Sequence, residues 1–241
     1  MTSPKIPEGI VTIRGIMGVC HLLVDGKGGA VFVDTGMVGE RWQMRWELRR
    51  RGLGPESVQA ILLTHGHLDH AGNLAWLKDW TGAPVYAHPA EQAHLDGVYP
   101  YQGVARWCGR LERAGYAAFR YRPARIDHFL SDGDELPFWG GLRVVHLPGH
   151  TEGHCGFYSA RHDLLFSGDL FASYFVNVRV PPPILNSVPH LLPASLLRVE
   201  AMRPRYLVPQ HYDILDGVLH RARFDRMCER FHARTERGAR I

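Results

Sequence analysis

The most constraining feature of the sequence is the stretch Thr64–His70, in which four of seven side chains can bind a metal ion. The apolar run Ala60–Leu63 before it predicts a buried strand, and Ala71–Trp80 after it has helical spacing. The stretch therefore lies at a strand-to-helix crossing, where the sites of α/β proteins are usually found. The four candidate ligands are His65, His67, Asp69 and His70.

One such loop can serve two neighbouring ions, because its ligands point in two directions. His65 and His67 are two residues apart and can point the same way, whereas Asp69 and His70 turn to a second direction. Imidazole nitrogens with a carboxylate suit Zn²⁺ best, with Mn²⁺ or Fe²⁺ as alternatives. A polar loop rich in histidine is the other interpretation. Three histidines and one aspartate within six positions at a strand exit favour the metal site.

Three later segments also deliver a possible ligand from the end of a predicted strand. Leu142–His146 leads into a Pro-Gly bend that exposes His150, which we prefer to His154 because it directly follows the bend. His154 is expected to start the next strand or to support the site from outside. Further along, one apolar strand ends on Asp169 and the last predicted strand ends near His211. We expect these residues to meet the first loop at one sheet edge.

Composition places the chain among ordinary globular proteins. Its 241 residues could form one large domain or two small ones, but no linker or low-complexity segment divides them. Because a strand followed by a ligand occurs in both halves, we predict a single domain over residues 1–241. No segment has the length of a signal peptide core or a membrane span, so we expect a cytoplasmic protein without a membrane partner. The four cysteines form no C-x-x-C pair and predict free thiols.

Much of the net charge of +4 lies at the C-terminus, where arginine recurs between apolar residues over Arg221–Arg240. A basic face for nucleic acid is one interpretation. We favour a terminal amphipathic helix docked by its apolar stripe, because non-specific electrostatic binding needs a more strongly clustered patch. Nucleic acid is therefore not the expected partner.

The segment Tyr99–Tyr121 is rich in aromatic residues and shows no regular spacing. It predicts a lid or one wall of an apolar substrate pocket, or alternatively a subunit contact in a homodimer. Both interpretations stay open. His88 and His94, on the segment before it, are assigned to the surface rather than to the metal site.

Taken in order, the candidate ligands resemble the five-motif pattern of the metallo-β-lactamase fold superfamily. The resemblance runs from about Val31 to His211, and its central H-x-H-x-D-H motif is highly specific. It implies an α/β fold, an αβ/βα sandwich of two mixed β-sheets with helices on the outer faces. The matching residues are Asp34, His65, His67, Asp69, His70, His150, Asp169 and His211.

The resemblance also divides these residues between two divalent metal ions. It implies that one ion is bound by His65, His67 and His150. Asp34 matches a residue that supports the ligands rather than binding metal. The second ion would be held by Asp69, His70 and His211, with Asp169 bridging the two.

One departure from the pattern concerns the last motif. Many members read Gly-His-Gly around the final ligand, where this chain has Gln210-His211-Tyr212. This difference changes the local loop and the substrate contacts expected there. The predicted substrate-pocket residues are Phe171, Tyr174, Asn177 and Tyr212.

The function implied is that of a dinuclear-metal hydrolase acting on a small molecule. A hydroxide shared by the two ions would attack an ester, thioester or lactone carbonyl, with Asp69 taking up or delivering the proton. The alternatives are a phosphodiesterase or nuclease using the same two ions, a β-lactam-cleaving enzyme, and a metal-binding sensor without activity. A purely structural zinc needs only four closed ligands, which argues against the sensor.

Overall fold

The computed structural model describes residues 5–15, 18–37, 39–98, 101, 103–174 and 177–238. Twelve strands in this part of the chain form two sheets of six strands each. The strands are β1 (Ile10–Arg14), β2 (Val19–Val24), β3 (Ala30–Val33), β4 (Val58–Leu62), β5 (Val85–Ala87), β6 (His128–Phe129), β7 (Glu135–Leu136), β8 (Leu142–His146), β9 (Cys155–Ser159), β10 (Leu164–Tyr174), β11 (Asn177–Arg179) and β12 (Tyr206–Tyr212).

Seven α-helices connect or flank these strands in the described residues. They are α1 (Glu40–Arg49), α2 (Leu68–Ala71), α3 (Leu74–Thr81), α4 (Glu91–Leu95), α5 (Arg106–Ala118), α6 (Leu192–Met202) and α7 (Gly217–Gly238). None of the described helices is long and apolar enough to cross a membrane.

Both sheets are mixed. The first has the order β1-β2-β3-β4-β5-β6, with antiparallel pairing up to β3 and parallel pairing from β3 onward. The second has the order β11-β10-β9-β8-β7 in antiparallel pairing, and β12 joins β10 in parallel. The connections between parallel strands of the first sheet include helices, as parallel pairing requires.

The strands are apolar on both faces because each sheet is covered on both sides. In β3, Val31 and Val33 belong to the core between the sheets, whereas Phe32 packs in the core that includes α1 and α3. In β10, Phe166 faces the core between the sheets and Leu165 faces α6 and α7. Strands buried on both faces read as continuous apolar runs rather than alternating ones. The predicted αβ/βα sandwich of two mixed sheets is confirmed.

The parallel pairing of β3 and β4 brings the first ligand-bearing segments together. Val33 is in register with Leu62, so both strands end at the same edge of the sheet. Asp34 follows one strand end directly, and His65 follows the other after two residues. In the second sheet, His211 on β12 is in register with Ala172 on β10.

The structure differs from the sequence-based expectation in the segment Tyr99–Tyr121. This segment was predicted to be irregular, but it contains the 13-residue helix α5; Tyr99 itself lies outside the described residues. Its inward positions are not a simple apolar stripe, because Cys108 and Glu112 take places where a helix usually carries aliphatic residues. The aromatic residues dominate the segment's composition and conceal this spacing.

The C-terminal helix agrees with the interpretation favoured from the sequence. Helix α7 begins at Gly217, and its residues Phe224, Met227 and Cys228 are buried against the second sheet and α6. All four cysteines are free, as the sequence predicts, and the structure shows that all four are buried.

Candidate metal centre

The first group of candidate ligands consists of three histidines that come from two loops. His65 and His67 lie between β4 and α2, and His150 lies between β8 and β9. One ring nitrogen from each lies within 4.8 Å of the others. All three side chains are buried. This arrangement brings together the three residues that the resemblance implies for one ion.

The second group lies beside the first and includes the end of β12. Asp69, His70 and His211 each offer one ligand atom, and these atoms lie within 4.8 Å of one another. His211 Nε2 is 3.2 Å from Asp69 Oδ2, and His70 Nε2 is 3.6 Å from the same oxygen. A mixed nitrogen and oxygen set of this kind suits a divalent transition metal.

Asp169 lies between the two groups. Its Oδ1 is 3.4 Å from His70 Nε2, and its Oδ2 is 3.2 Å from His211 Nε2. The same Oδ2 is 3.5 Å from His150 Nε2 in the first group. The structure thus brings all seven predicted ligands into one cluster, with Asp169 where a bridging residue would be needed.

Several inward-facing ligand atoms have no hydrogen-bond partner among the described residues. Leaving a buried polar atom unpaired costs about 1–3 kcal/mol, so four adjacent examples need a common explanation. Bound cations provide one, and the imidazole and carboxylate donors fit them. The atoms without a hydrogen bond are His65 Nε2 and His150 Nε2, together with His70 Nε2 and Asp169 Oδ1, which lie 3.4 Å apart as an ion pair.

The electrostatics of the two groups differ. Burial, with neighbouring histidines, holds the pKa of His65 and His67 well below the usual value, so both rings stay neutral and keep a lone pair for a metal. Burial also acts on His70, but the carboxylates of Asp169, Asp69 and Asp34 outweigh it and raise the His70 pKa. The second group therefore attracts positive charge strongly, as a cation site should.

Asp34 supports His70 on the side of the ring that faces away from the other candidate ligands. Its Oδ1 accepts a hydrogen bond from the Thr64 backbone N–H (2.8 Å), and its Oδ2 accepts one from the Thr64 hydroxyl (2.8 Å). The same Oδ2 is 3.0 Å from His70 Nδ1, which directs the other ring nitrogen towards the cluster. Asp34 thus has the supporting geometry that the resemblance implies.

The departure at the last motif also has a structural explanation. Gln210 is fully buried, and its Nε2 donates a hydrogen bond to Asp34 Oδ2 (2.6 Å). A glycine at this position could not make this contact. Gln210 therefore connects β12, which carries His211, to the support of His70.

His150 and Asp169 also have supporting residues. His150 Nδ1 is hydrogen bonded to Asn186 Oδ1 (3.0 Å), which fixes the ring. His154 Nε2 accepts a hydrogen bond from the Asp169 backbone N–H (2.9 Å), while its Nδ1 contacts the Leu147 carbonyl oxygen (2.9 Å). His154 thus lies behind the cluster, which agrees with the choice of His150 as the candidate ligand.

Glu91 is a buried residue that sequence reasoning missed. Its Oε2 accepts a hydrogen bond from the backbone N–H of Gly66 (2.6 Å), between His65 and His67. Its Oε1 accepts hydrogen bonds from the Thr151 hydroxyl (2.7 Å) and the Gly153 backbone N–H (2.9 Å). One carboxylate thus ties together the two loops of the first group. In the sequence it reads only as an acidic residue in the first turn of a helix.

The assignment of His94 to the surface was wrong. His94 is 1% exposed, and its ring lies 5.5 Å from that of His67. Helix α4 turns this side chain towards the ligand loop, which could not be deduced from one isolated histidine. The hydroxyl of Tyr101 is hydrogen bonded to His67 Nε2, so the segment before α5 also contacts the ligand loop. His88 is half-buried and stacks on His146.

A cavity of about 450 Å³ opens above the cluster. Phe171 and Tyr174 line it, in agreement with their predicted place in the substrate pocket. Helix α5 forms one wall, which is one of the two roles proposed for the aromatic segment. The residues of this helix that line the cavity are Cys108, Leu111, Glu112 and Gly115, followed by Phe119.

Two other pocket residues need comment. The side chain of Asn177 lies outside the described residues. Tyr212 does not line the cavity: it is 1% exposed and belongs to the core between the sheets. Successive residues of a strand point to opposite faces, so His211 faces the cluster and Tyr212 faces away. The prediction for Tyr212 was therefore wrong.

The Tyr212→Phe variant is expected to lose stability without losing function. The Tyr212 hydroxyl is hydrogen bonded to Thr12 Oγ1 (2.8 Å), and its removal should cost about 1 kcal/mol. Urea denaturation would measure the change. Activity altered more than about threefold, at unchanged folding, would contradict the assignment of Tyr212 to the core.

Comparison with known proteins agrees with this geometry. The sequence pattern of the metallo-beta-lactamase superfamily matches residues 14–211. Hydroxyacylglutathione hydrolase GloC of Haemophilus influenzae is 30% identical over 168 residues, which cover 67% of this chain and 70% of that protein.

Two crystal structures share the fold. The metallo-beta-lactamase family protein TTHA1429 from Thermus thermophilus has a TM-score of 0.72 at 26% identity, covering 95% of this chain and 81% of its own. TTHA1623, crystallised in a di-iron-bound form, has a TM-score of 0.65 at 30% identity, covering 84% and 91%. The match over most of the chain and the ligand cluster together show that this protein belongs to the metallo-beta-lactamase superfamily.

Proposed function

We propose that the protein is a dinuclear-metal hydrolase that cleaves an ester, thioester or lactone bond of a small molecule. The observation that carries this proposal is the convergence of seven ligand-type side chains from both sheets in one cluster, five of which line the floor of one cavity. A structural zinc site would be closed by four ligands, whereas this cluster faces an open space large enough for a substrate.

We assign the following roles to the residues of the cluster. His65, His67 and His150 would hold one ion, and the second group with Asp169 would hold the other. When bound, the two ions supply a water of lowered pKa and polarise the substrate carbonyl. Asp69 lines the cavity beside His211, so its carboxylate can hold the proton released when that water attacks.

The similarity to other members of the superfamily supports both the reaction and the metal. GloC is named as a hydrolase of hydroxyacylglutathione, which favours an acyl bond as the target. TTHA1623 binds two iron ions, so a site of this fold can accept metals other than zinc. We propose Zn²⁺ for this chain, because three imidazole nitrogens in one group suit it best, and keep Mn²⁺ and Fe²⁺ as alternatives.

Removal of metal is expected to abolish hydrolysis, and its return to restore it. The purified protein should contain about two divalent ions per chain and should cleave members of a panel of esters, thioesters and lactones. Dialysis against a chelator should lower the rate by about a thousandfold, since the ions supply several kcal/mol of transition-state stabilisation. Activity that survives complete metal removal would refute the proposal.

The same panel separates the alternatives. A phosphodiesterase would cleave bis(p-nitrophenyl) phosphate, and a β-lactamase would cleave a chromogenic cephalosporin. The described residues that line the cavity include no lysine or arginine, so only the two ions would neutralise a phosphate or carboxylate group there. Turnover of either compound well above that of every acyl substrate would replace our proposal.

A further inference from the structure

The cavity above the cluster has a polar floor and apolar walls. The floor carries five of the candidate ligands, whereas the walls come from segments that reach over it. Leu111 and Phe119 are exposed by 67% and 47%, so they lie at the rim of the cavity. The apolar wall residues include Met37, Leu68, Leu111, Phe119, Phe171 and Leu185.

The absence of positive charge in the walls that the structure describes, like their apolar character, limits which substrate groups can bind there. No lysine or arginine is found among the described residues that line the cavity. The ionisable side chains in the wall are those of Glu112, Cys108 and Tyr174, none of which carries a positive charge that would neutralise an anion. A carboxylate or phosphate on the part of a substrate that enters here would be desolvated without a partner, which is costly.

Gly115 allows α5 to pack closely against the loop that carries Leu68. It lines the cavity in the last turn of α5, and glycine within a helix costs about 0.5–1 kcal/mol relative to alanine. A Cβ atom at this position would lie 2.7 Å from Leu68 Cδ2 and 3.9 Å from Phe119 Cδ2. This distance to Leu68 is shorter than non-bonded carbon atoms allow, so glycine lets Leu68 pack against the helix. A larger side chain at residue 115 must displace Leu68 or extend into the cavity.

We propose that helix α5, with Gly115 in its last turn, forms a subsite for the uncharged, apolar acyl group of the substrate. This inference rests on the proposed hydrolase function and specifies its substrate class. An aliphatic acyl chain can pack against the walls while its carbonyl reaches the floor. Each methylene group buried there should raise kcat/KM by up to about fourfold.

Kinetics with matched thioesters would test the subsite. For N-acetylcysteamine thioesters from acetyl to decanoyl, kcat/KM should rise with chain length by at least about tenfold in the native protein. The adipoyl thioester, which ends in a carboxylate, should be at least about tenfold poorer than the hexanoyl thioester. A flat length series, or equal rates for these two compounds, would overturn the proposal.

Substitutions on α5 would show whether the preference for long acyl chains depends on residue 115. Gly115→Leu should lower the ratio of octanoyl to acetyl kcat/KM by at least about tenfold because it fills the space, and Gly115→Ala should lower it less. Ala114→Leu adds the same side chain on the exposed face of the same helix and is the matched control. Equal ratios in Gly115→Leu and Ala114→Leu would contradict the assignment.

A binding measurement keeps this inference separate from the hydrolase proposal. Calorimetry on the zinc-loaded protein should show octanamide binding more tightly than butanamide, and more tightly than suberamic acid, the same amide with a terminal carboxylate. Gly115→Leu should weaken octanamide binding by about tenfold, and Ala114→Leu should not. Octanamide binding without any acyl hydrolysis would refute the function but keep the subsite. Hydrolysis of acyl substrates with a chain-length preference that does not depend on residue 115 would keep the function but refute the subsite.

Discussion

The His67→Ala variant is expected to lose bound metal and hydrolytic activity together. His67 is 5% exposed, and one of its ring nitrogens lies within 4.8 Å of those of His65 and His150. Removing it leaves two histidines and the shared carboxylate of Asp169 for the first ion, so this ion should be held much more weakly. We expect kcat/KM to fall by about a thousandfold or more, because an ion that contributes several kcal/mol is no longer held in place.

Metal content and rate must be measured on the same preparation. His190→Ala removes an exposed histidine outside the cluster and should leave both quantities unchanged. Circular dichroism would show whether His67→Ala keeps its folded structure. A folded His67→Ala variant with full metal content and full turnover would refute the assignment of the first group.

The Glu91→Gln variant is expected to bind metal about 10–100-fold more weakly, although Glu91 belongs to neither ligand group. Its two oxygens accept three hydrogen bonds, one from Gly66 and the others from Thr151 and Gly153. An amide of the same shape has one accepting oxygen, and its NH₂ group would face a donor. At least one buried contact is lost, so the loops that carry His65 and His150 are held less firmly.

The matched control lies in the loop that donates two of these hydrogen bonds to Glu91. Glu152→Gln makes the same change of charge at the exposed residue between Thr151 and Gly153. Competition with a chelator would give the metal affinity of both variants, and saturating zinc should restore much of the lost activity in Glu91→Gln. Equal affinities for the two variants would show that Glu91 has no positioning role.

The ligand set could be predicted because its chemistry is local. Each candidate follows a predicted strand, and the ends of parallel strands meet at one edge of a sheet. Spacing alone therefore placed His65 and His67 near Asp69 and His70. The order of His150, Asp169 and His211 along the chain completed the pattern. The apolar runs predicted buried strands, as sheets covered on both faces require, whereas the sandwich itself was implied by the resemblance to the metallo-β-lactamase fold superfamily.

What the sequence by itself determined is thus the type of the layers and the identity of the cluster. Only the tertiary structure decided which residues hold that cluster in place and which residues enclose it. Glu91 and Gln210 read as ordinary polar residues until distant segments bring an N–H or a carboxylate within reach. Tyr212 and His94 were misplaced because the direction of a side chain depends on the packing partner of its strand or helix. Local spacing reports backbone geometry, whereas a site is completed by contacts between segments far apart in sequence.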